Sequence, residues 1–247
     1  MDQHYELVRP GIAAGLFLTI LIVIFSLVPD QARADGGAPN LAYVEGTAKG
    51  ISVIDISQQK VTMTINAVAD PSMLQLSIDG RFLFSSEPSQ GKVLEISAKT
   101  GATVCTANVG GHPTTLALDS GTNILYAAGP DSPKINAVSA NDCSIQHAIQ
   151  AHGNVNSMAI AVLGSGFSGG DGNQLWIGDS HGITIVDSSG KEISSLPIPG
   201  GIDHLTIPLG TTVYAIRQQS EVLGIGLSGH QILPPLLSGG SYGPMDY

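Results

Sequence analysis

Leu41-Ala42-Tyr43-Val44 returns in altered form as Phe82-Leu83-Phe84-Ser85, Ile124-Leu125-Tyr126-Ala127, Gln174-Leu175-Trp176-Ile177 and Thr212-Val213-Tyr214-Ala215. Each is a brief apolar run with an aromatic in third place. Aromatic residues are only 5% of the chain, so five of them in one aligned column is not an effect of composition. Tyr43, Phe84, Tyr126, Trp176 and Tyr214 stand 41, 42, 50 and 38 residues apart. A period of roughly 40 residues built from short strands is the signature of a β-propeller blade array.

Working outward from the column, each unit has the same grammar. In the second unit Leu74–Ser77 reads as a first strand, Asp79-Gly80 as a hairpin turn, Arg81–Ser85 as the aromatic strand, Gly91–Ile96 as a third, and Thr100-Gly101 as the turn into Ala102–Val109. The third, fourth and fifth units repeat it, the last ending in an expected outer strand over Gln231–Leu237. The first unit lacks strand one, because Asp35–Asn40 is too short and too polar to supply it. The expected fold is all-β: a five-bladed β-propeller over 41–237 with an incomplete first blade, preceded by a hydrophobic N-terminal helix. An open or dimer-completed array is the alternative, since nineteen strands do not close evenly. The aromatic column is expected to pack between blades. A polar, glycine-rich tail, expected to be flexible, follows over 238–247.

Residues 11–28 carry no charge and, as a helix, reach about 27 Å, close to a bilayer core. Ala32-Arg33-Ala34 fits a signal-peptide cleavage pattern. Removal after Ala34 and retention of 1–34 as a transmembrane anchor both remain open; either way the expectation is export to a periplasmic or extracellular space. Residues 35–40 read as a linker.

The chain has 10 Lys+Arg against 20 Asp+Glu, a formal net charge of −10 that disfavours nucleic acid as a partner. Its two cysteines, Cys105 and Cys143, lie outside any C-x-x-C spacing, which excludes zinc ribbons and attached c-type haem. In an exported protein they can bridge neighbouring blades; the other reading is two small, inert residues on sheet faces.

The stretches Leu41–Val44, Ile51–Asp55, Leu74–Phe84, Gly91–Ile96, Thr100-Gly101 and Val109-Gly110-Gly111-His112-Pro113 resemble the YVTN-type β-propeller repeats of YncE-like and surface-layer-type proteins. The resemblance covers about residues 40–237 and implies the propeller fold. It implies a binding scaffold or surface protein more than any one reaction.

Candidate site residues come from the connections between units, which lie at one mouth of a propeller. Asp70, His112 and Asn154 precede the repeat's proline position; Ser72, Thr114, Asn156 and Asp203 follow it, with His204 one further on. Asp70, His112, Asn154, Asn156, Asp203 and His204 are therefore the expected ligand or partner contacts at the axial mouth. His112, Asp203 and His204 are the weaker candidates for a divalent metal; no cofactor is expected. The loop Gly164–Asn173 accounts for the 50-residue spacing and lacks both a full calcium-loop pattern and a phosphate-binding context; Phe167 within it is a candidate contact. There is no Gly-x-Ser-x-Gly elbow. Asp179-Ser180-His181 are too close on one hairpin to form a triad. Asp55, Glu95 and Asp187, in third strands, are expected to face solvent. The expected function is a non-catalytic, exported propeller that binds a protein partner, as an accessory subunit of a membrane complex. The alternatives are an enzyme with an axial metal or cofactor and a structural surface protein.

Overall fold

The computed structural model describes residues 40–47, 50–66, 69–163, 172–208 and 210–244. All lie within one unit, Gly36–Tyr247. The apolar run 11–28, the cleavage pattern, the linker 35–39 and residues 164–171 of the fourth unit's loop, with Phe167, fall outside the described residues. No helix among the described residues is long and apolar enough to cross a membrane.

Five antiparallel sheets follow one another along the chain. The first has three strands, β1 (Leu41–Thr47), β2 (Gly50–Asp55) and β3 (Lys60–Ile65). The second holds β4 (Met73–Leu76), β5 (Phe82–Glu87), β6 (Lys92–Ser97) and β7 (Thr103–Asn108). The third holds β8 (Thr115–Asp119), β9 (Ile124–Ala128), β10 (Lys134–Ser139) and β11 (Ile145–Gln150). The fourth holds β12 (Val155–Ala161), β13 (Gln174–Asp179), β14 (Gly182–Asp187) and β15 (Glu192–Pro197). The fifth holds β16 (His204–Thr206), β17 (Thr212–Arg217), β18 (Glu221–Gly226) and β19 (Leu237–Ser238). This all-β, propeller-like arrangement has the strand grammar of the repeat, with three strands in the first sheet among the described residues.

The fifth unit departs from expectation. An outer strand over Gln231–Leu237 is reduced to Leu237–Ser238 and one bridge from Ile232 to Ile225. Pro234 and Pro235 explain it, because proline has no N–H for the ladder.

The core lies in four layers, each between consecutive sheets. Tyr43 packs with Ile51, Ile65, Leu83 and Ile96 between sheets one and two. Phe84 sits between two and three, Tyr126 between three and four, and Trp176 between four and five. The first four members of the column therefore face the following sheet. Phe84, Tyr126 and Trp176 are buried, whereas Tyr43 and Tyr214 are half-buried.

A second repeated feature supports these layers. The last two strands of sheets one to four share a bulge after Val53, Glu95, Ala137 and Ile185. The turn that joins the last two strands of each sheet holds a residue with positive φ: Gln59, Gly101, Cys143, Gly190 and, in sheet five, His230. From the second sheet on, this residue meets the preceding sheet. A Cβ on Gly101 would touch Ile65, one on Gly190 would touch Ile149 and His147, and His230 stands edge-on to Trp176 at 5.3 Å.

Candidate functional site

The first strands of the four four-stranded sheets, β4, β8, β12 and β16, line one cavity of about 770 Å³. Its wall alternates short polar side chains (Ser72, Thr114, Asn156, Thr206) with apolar ones such as Met73 and Leu116. Side chains lace neighbouring first strands together: Leu116 N–H donates to Met73 Sδ at 3.1 Å and Leu205 N–H to Ser157 Oγ at 3.0 Å. Asn156 Nδ2 donates to Ile202 O at 3.0 Å. These bonds satisfy backbone groups beside the cavity and leave its wall composed mostly of hydroxyls, the two amides of Gln75 and Asn156, and hydrocarbon. His204 is the single titratable side chain in that lining.

Of the six residues expected at the mouth, the structure brings Asn156 and His204 into the cavity wall. His112 points elsewhere, into a separate pocket of about 240 Å³, where its Nδ1 pairs with Asp131. Asp203 accepts a hydrogen bond from Gln219 N–H at 2.7 Å and so fixes the β17–β18 turn. Asn154 N–H donates to Ser180 Oγ at 3.2 Å, and Ser180 N–H donates to Asn154 O at 3.1 Å. Asp70 is exposed. The trio His112, Asp203 and His204 is thus not assembled: among the described residues, the metal-ligating side chains whose ligand atoms cluster within 4.8 Å are Glu95, Cys105 and Cys143. Position next to the repeat's proline did not predict direction, because His112, Asn154 and Asp203 are drawn instead to turns of their own sheets, at Asp131, Ser180 and Gln219.

The end of the chain contributes to the cavity in a way not expected from its composition. Gly239 N–H donates to Ser220 O at 3.0 Å and Tyr242 N–H to Gln219 O at 2.7 Å, and Pro244 then reaches the cavity wall.

The second cluster lies between sheets two and three. Cys105 on β7 and Cys143 in the β10–β11 turn form a disulfide. Glu95 is not solvent-facing as expected; it is 2% exposed. Its register explains this: it lies opposite Phe84 on one side and Cys105 on the other, in a row that faces the third sheet. Glu95 Oε2 is 3.1 Å from Cys105 Sγ and 3.9 Å from Cys143 Sγ. Burial pushes its carboxyl above the ordinary range. Burial, with the charges of Asp119 and Asp187 adding to it, also pushes the Tyr126 phenol up to about 12. The clue to Glu95 was available in the alignment: Val53, Ala137 and Ile185 hold the same place in the other sheets, and all three are buried and apolar.

No family model matches the chain, and no curated protein matches it in sequence. Solved structures do match in shape. Hydrazine synthase of Kuenenia stuttgartiensis superposes with a TM-score of 0.62 at 19% identity, covering 82% of this chain and 54% of that one. The computationally designed protein Ika8 superposes with a TM-score of 0.68 at 14% identity, covering 86% of this chain and 64% of that one. The chain therefore spans less than two thirds of either neighbour, and at these identities the likeness concerns the fold.

Proposed function

We propose that this chain is an exported, non-catalytic β-propeller of five blades, of the YVTN-like kind, that binds a protein partner at its axial mouth as an accessory subunit on the outer face of a membrane. The observation that carries the binding reading is the cavity wall. Hydroxyls, two amides and apolar side chains offer hydrogen bonds and contact area, while a single imidazole, His204, offers no acid–base pair. Closure of the ring is supported by the direction of the aromatic column. Four of its members face the next sheet, and in a closed ring the same orientation would turn the half-buried Tyr214 toward the first. Export is supported by the apolar run 11–28 and by a disulfide, which persists in oxidising compartments.

The test is association, not turnover. Native extraction followed by cross-linking should recover a stoichiometric partner. Thr206→Ala combined with His204→Ala should weaken that complex while leaving the unfolding midpoint nearly unchanged, because both side chains line the cavity and neither caps a backbone group among the described residues. A complex that forms with unchanged affinity would overturn the axial reading.

A further inference from the structure

We propose that Glu95, Cys105 and Cys143, once the two cysteines are thiols, form a three-ligand binding site for a thiophilic divalent cation such as Zn²⁺ or Cd²⁺. The argument starts from the carboxyl group. Glu95 is 2% exposed, and among the described residues no basic side chain pairs with it. Its contacts are the two sulfurs. A disulfide sulfur has no hydrogen to donate, so the oxidised bridge leaves this acid poorly served, and a buried carboxyl without a good partner is costly. The repeat does not require an acid there, since Val53, Ala137 and Ile185 fill the equivalent place. The acid occurs in the one row that also holds cysteine: Met63, His147 and Ser194 stand where this row has Cys105.

The oxygen-to-sulfur spacing suits a metal, and the two sulfurs move apart to ligand spacing once their bond is broken. A four-coordinate zinc holds thiolate sulfur at about 2.3 Å and carboxylate oxygen at about 2.0–2.2 Å, which puts neighbouring ligand atoms roughly 3.5 Å apart. The oxygen-to-sulfur distances of 3.1 and 3.9 Å bracket that value. Two thiolates select soft cations, and three protein ligands leave a fourth position for water. Cys105 is only partly covered, which admits both a cation and a reductant.

The newly made chain passes through the dithiol state before oxidation, and the bridged chain returns to it by exchange with a dithiol reductant. One reductant thiolate attacks Cys105 Sγ, the S–S bond breaks, and Cys143 leaves as a thiolate. The second reductant thiol then displaces Cys105 from the mixed disulfide. The reductant departs as its own disulfide, having given two electrons, and its two protons go to solvent. The cation takes both thiolates and the Glu95 carboxylate, whose proton also goes to solvent.

The experiment uses the full chain, reduced with a dithiol, freed of it without air, and titrated with Cd²⁺. One Cd²⁺ per chain is expected, with thiolate-to-cadmium charge-transfer absorption in the ultraviolet, and none on the oxidised chain. Glu95→Gln, nearly isosteric, should weaken binding at least about tenfold, a loss that even an outer-shell contact to a metal ligand commonly brings. Cys143→Ser should remove most of the absorption. No binding to the reduced chain, or equal affinity in Glu95→Gln, overturns the site. If reduction melts the sheet signal in circular dichroism, its recovery on adding Cd²⁺ supports the proposal, and failure to recover overturns it.

Discussion

The layer between sheets two and three and the layer between sheets four and five occupy the same place in the repeat and are built from opposite chemistry. In the first, the row runs Phe84, Glu95, Cys105, and the turn residue of the next sheet is Cys143. In the second it runs Trp176, Ile185, Ser194, and the turn residue is His230. One layer is tied by a covalent bond and carries a buried acid; the other is filled by the largest side chain in the molecule with hydrocarbon around it. The comparison teaches that the repeat dictates which positions meet, not what they are made of. A row of three cross-strand residues plus a turn residue is a fixed frame, and the chain supplies packing at one layer and a cross-link at another.

The largest effect that can test the comparison is at Trp176. It is fully buried, and its Nε1–H is satisfied by Gln174 Oε1 at 3.2 Å. Trp176→Ala should cost about 3–5 kcal/mol in denaturant unfolding, since truncation leaves a cavity that neighbouring strands cannot fill. A cost below about 1 kcal/mol would mean that the layer does not rest on the indole.

The bridged layer should respond next. Replacing Cys105 and Cys143 together by alanine removes a cross-link over 38 residues. The expected loss is about 2–4 kcal/mol, most of it through the greater freedom of the unfolded chain. Reduction of the parent protein should reproduce most of this loss in metal-free buffer. If the double variant is as stable as the parent, the second and third sheets are held by packing alone and the contrast between the layers disappears.

These layers also show what was legible beforehand. The aromatic column was legible because it recurs with a period that no other part of the composition imitates, and the three described strands of unit one accord with the short polar stretch before Leu41. Glu95 was misread because alternation along a strand tells which residues share a face, not whether that face is covered. In β6 both faces are covered: Val93 packs toward sheet three, and Leu94 and Ile96 toward sheet one. The rule of polar-out then fails, and only the alignment with Val53, Ala137 and Ile185 corrects it. In the connections between units, chain position did not give side-chain directions. Asn156 and His204 face the cavity, while His112 is drawn to Asp131 and Asp203 to the Gln219 amide. These are choices made by local hydrogen bonds, to which a linear spacing is blind.

Glu95 gives a sharper, pH-dependent test in the oxidised, metal-free protein. Its folded-state pKa lies above the unfolded value because burial disfavours the charge. The folded state therefore holds the proton more tightly, so this group's contribution is fully present below the unfolded carboxyl range and is lost as pH rises through the folded pKa. Glu95→Gln removes that loss. The variant should match the parent in acid and become the more stable of the two toward neutral pH, as read from urea midpoints across the range. A constant difference at every pH would place the Glu95 carboxyl in contact with water.

The smallest expected effect concerns the turn residues that face the rows, Cys143 and His230. His230 adopts φ 51°, in the left-handed region where Gly101 and Gly190 sit in the equivalent turns, and its ring meets Trp176 edge-on. Two opposing terms follow. His230→Ala keeps the backbone strain and loses the ring contact, which should cost about 0.5–1.5 kcal/mol. His230→Gly loses the same contact but relieves a left-handed conformation worth about 1 kcal/mol, so it should lie close to the parent. The imidazole adds a pH signature. Burial lowers its pKa below the usual histidine value, so the neutral ring is the form the fold accepts. Its contribution is fully present above the unfolded pKa and is lost as pH falls through the folded one. Thermal or urea midpoints for the two variants, measured in parallel above and below the histidine range, separate these terms. If glycine proves as damaging as alanine, strain at this turn is negligible and the ring contact alone holds the fifth sheet's turn to the fourth.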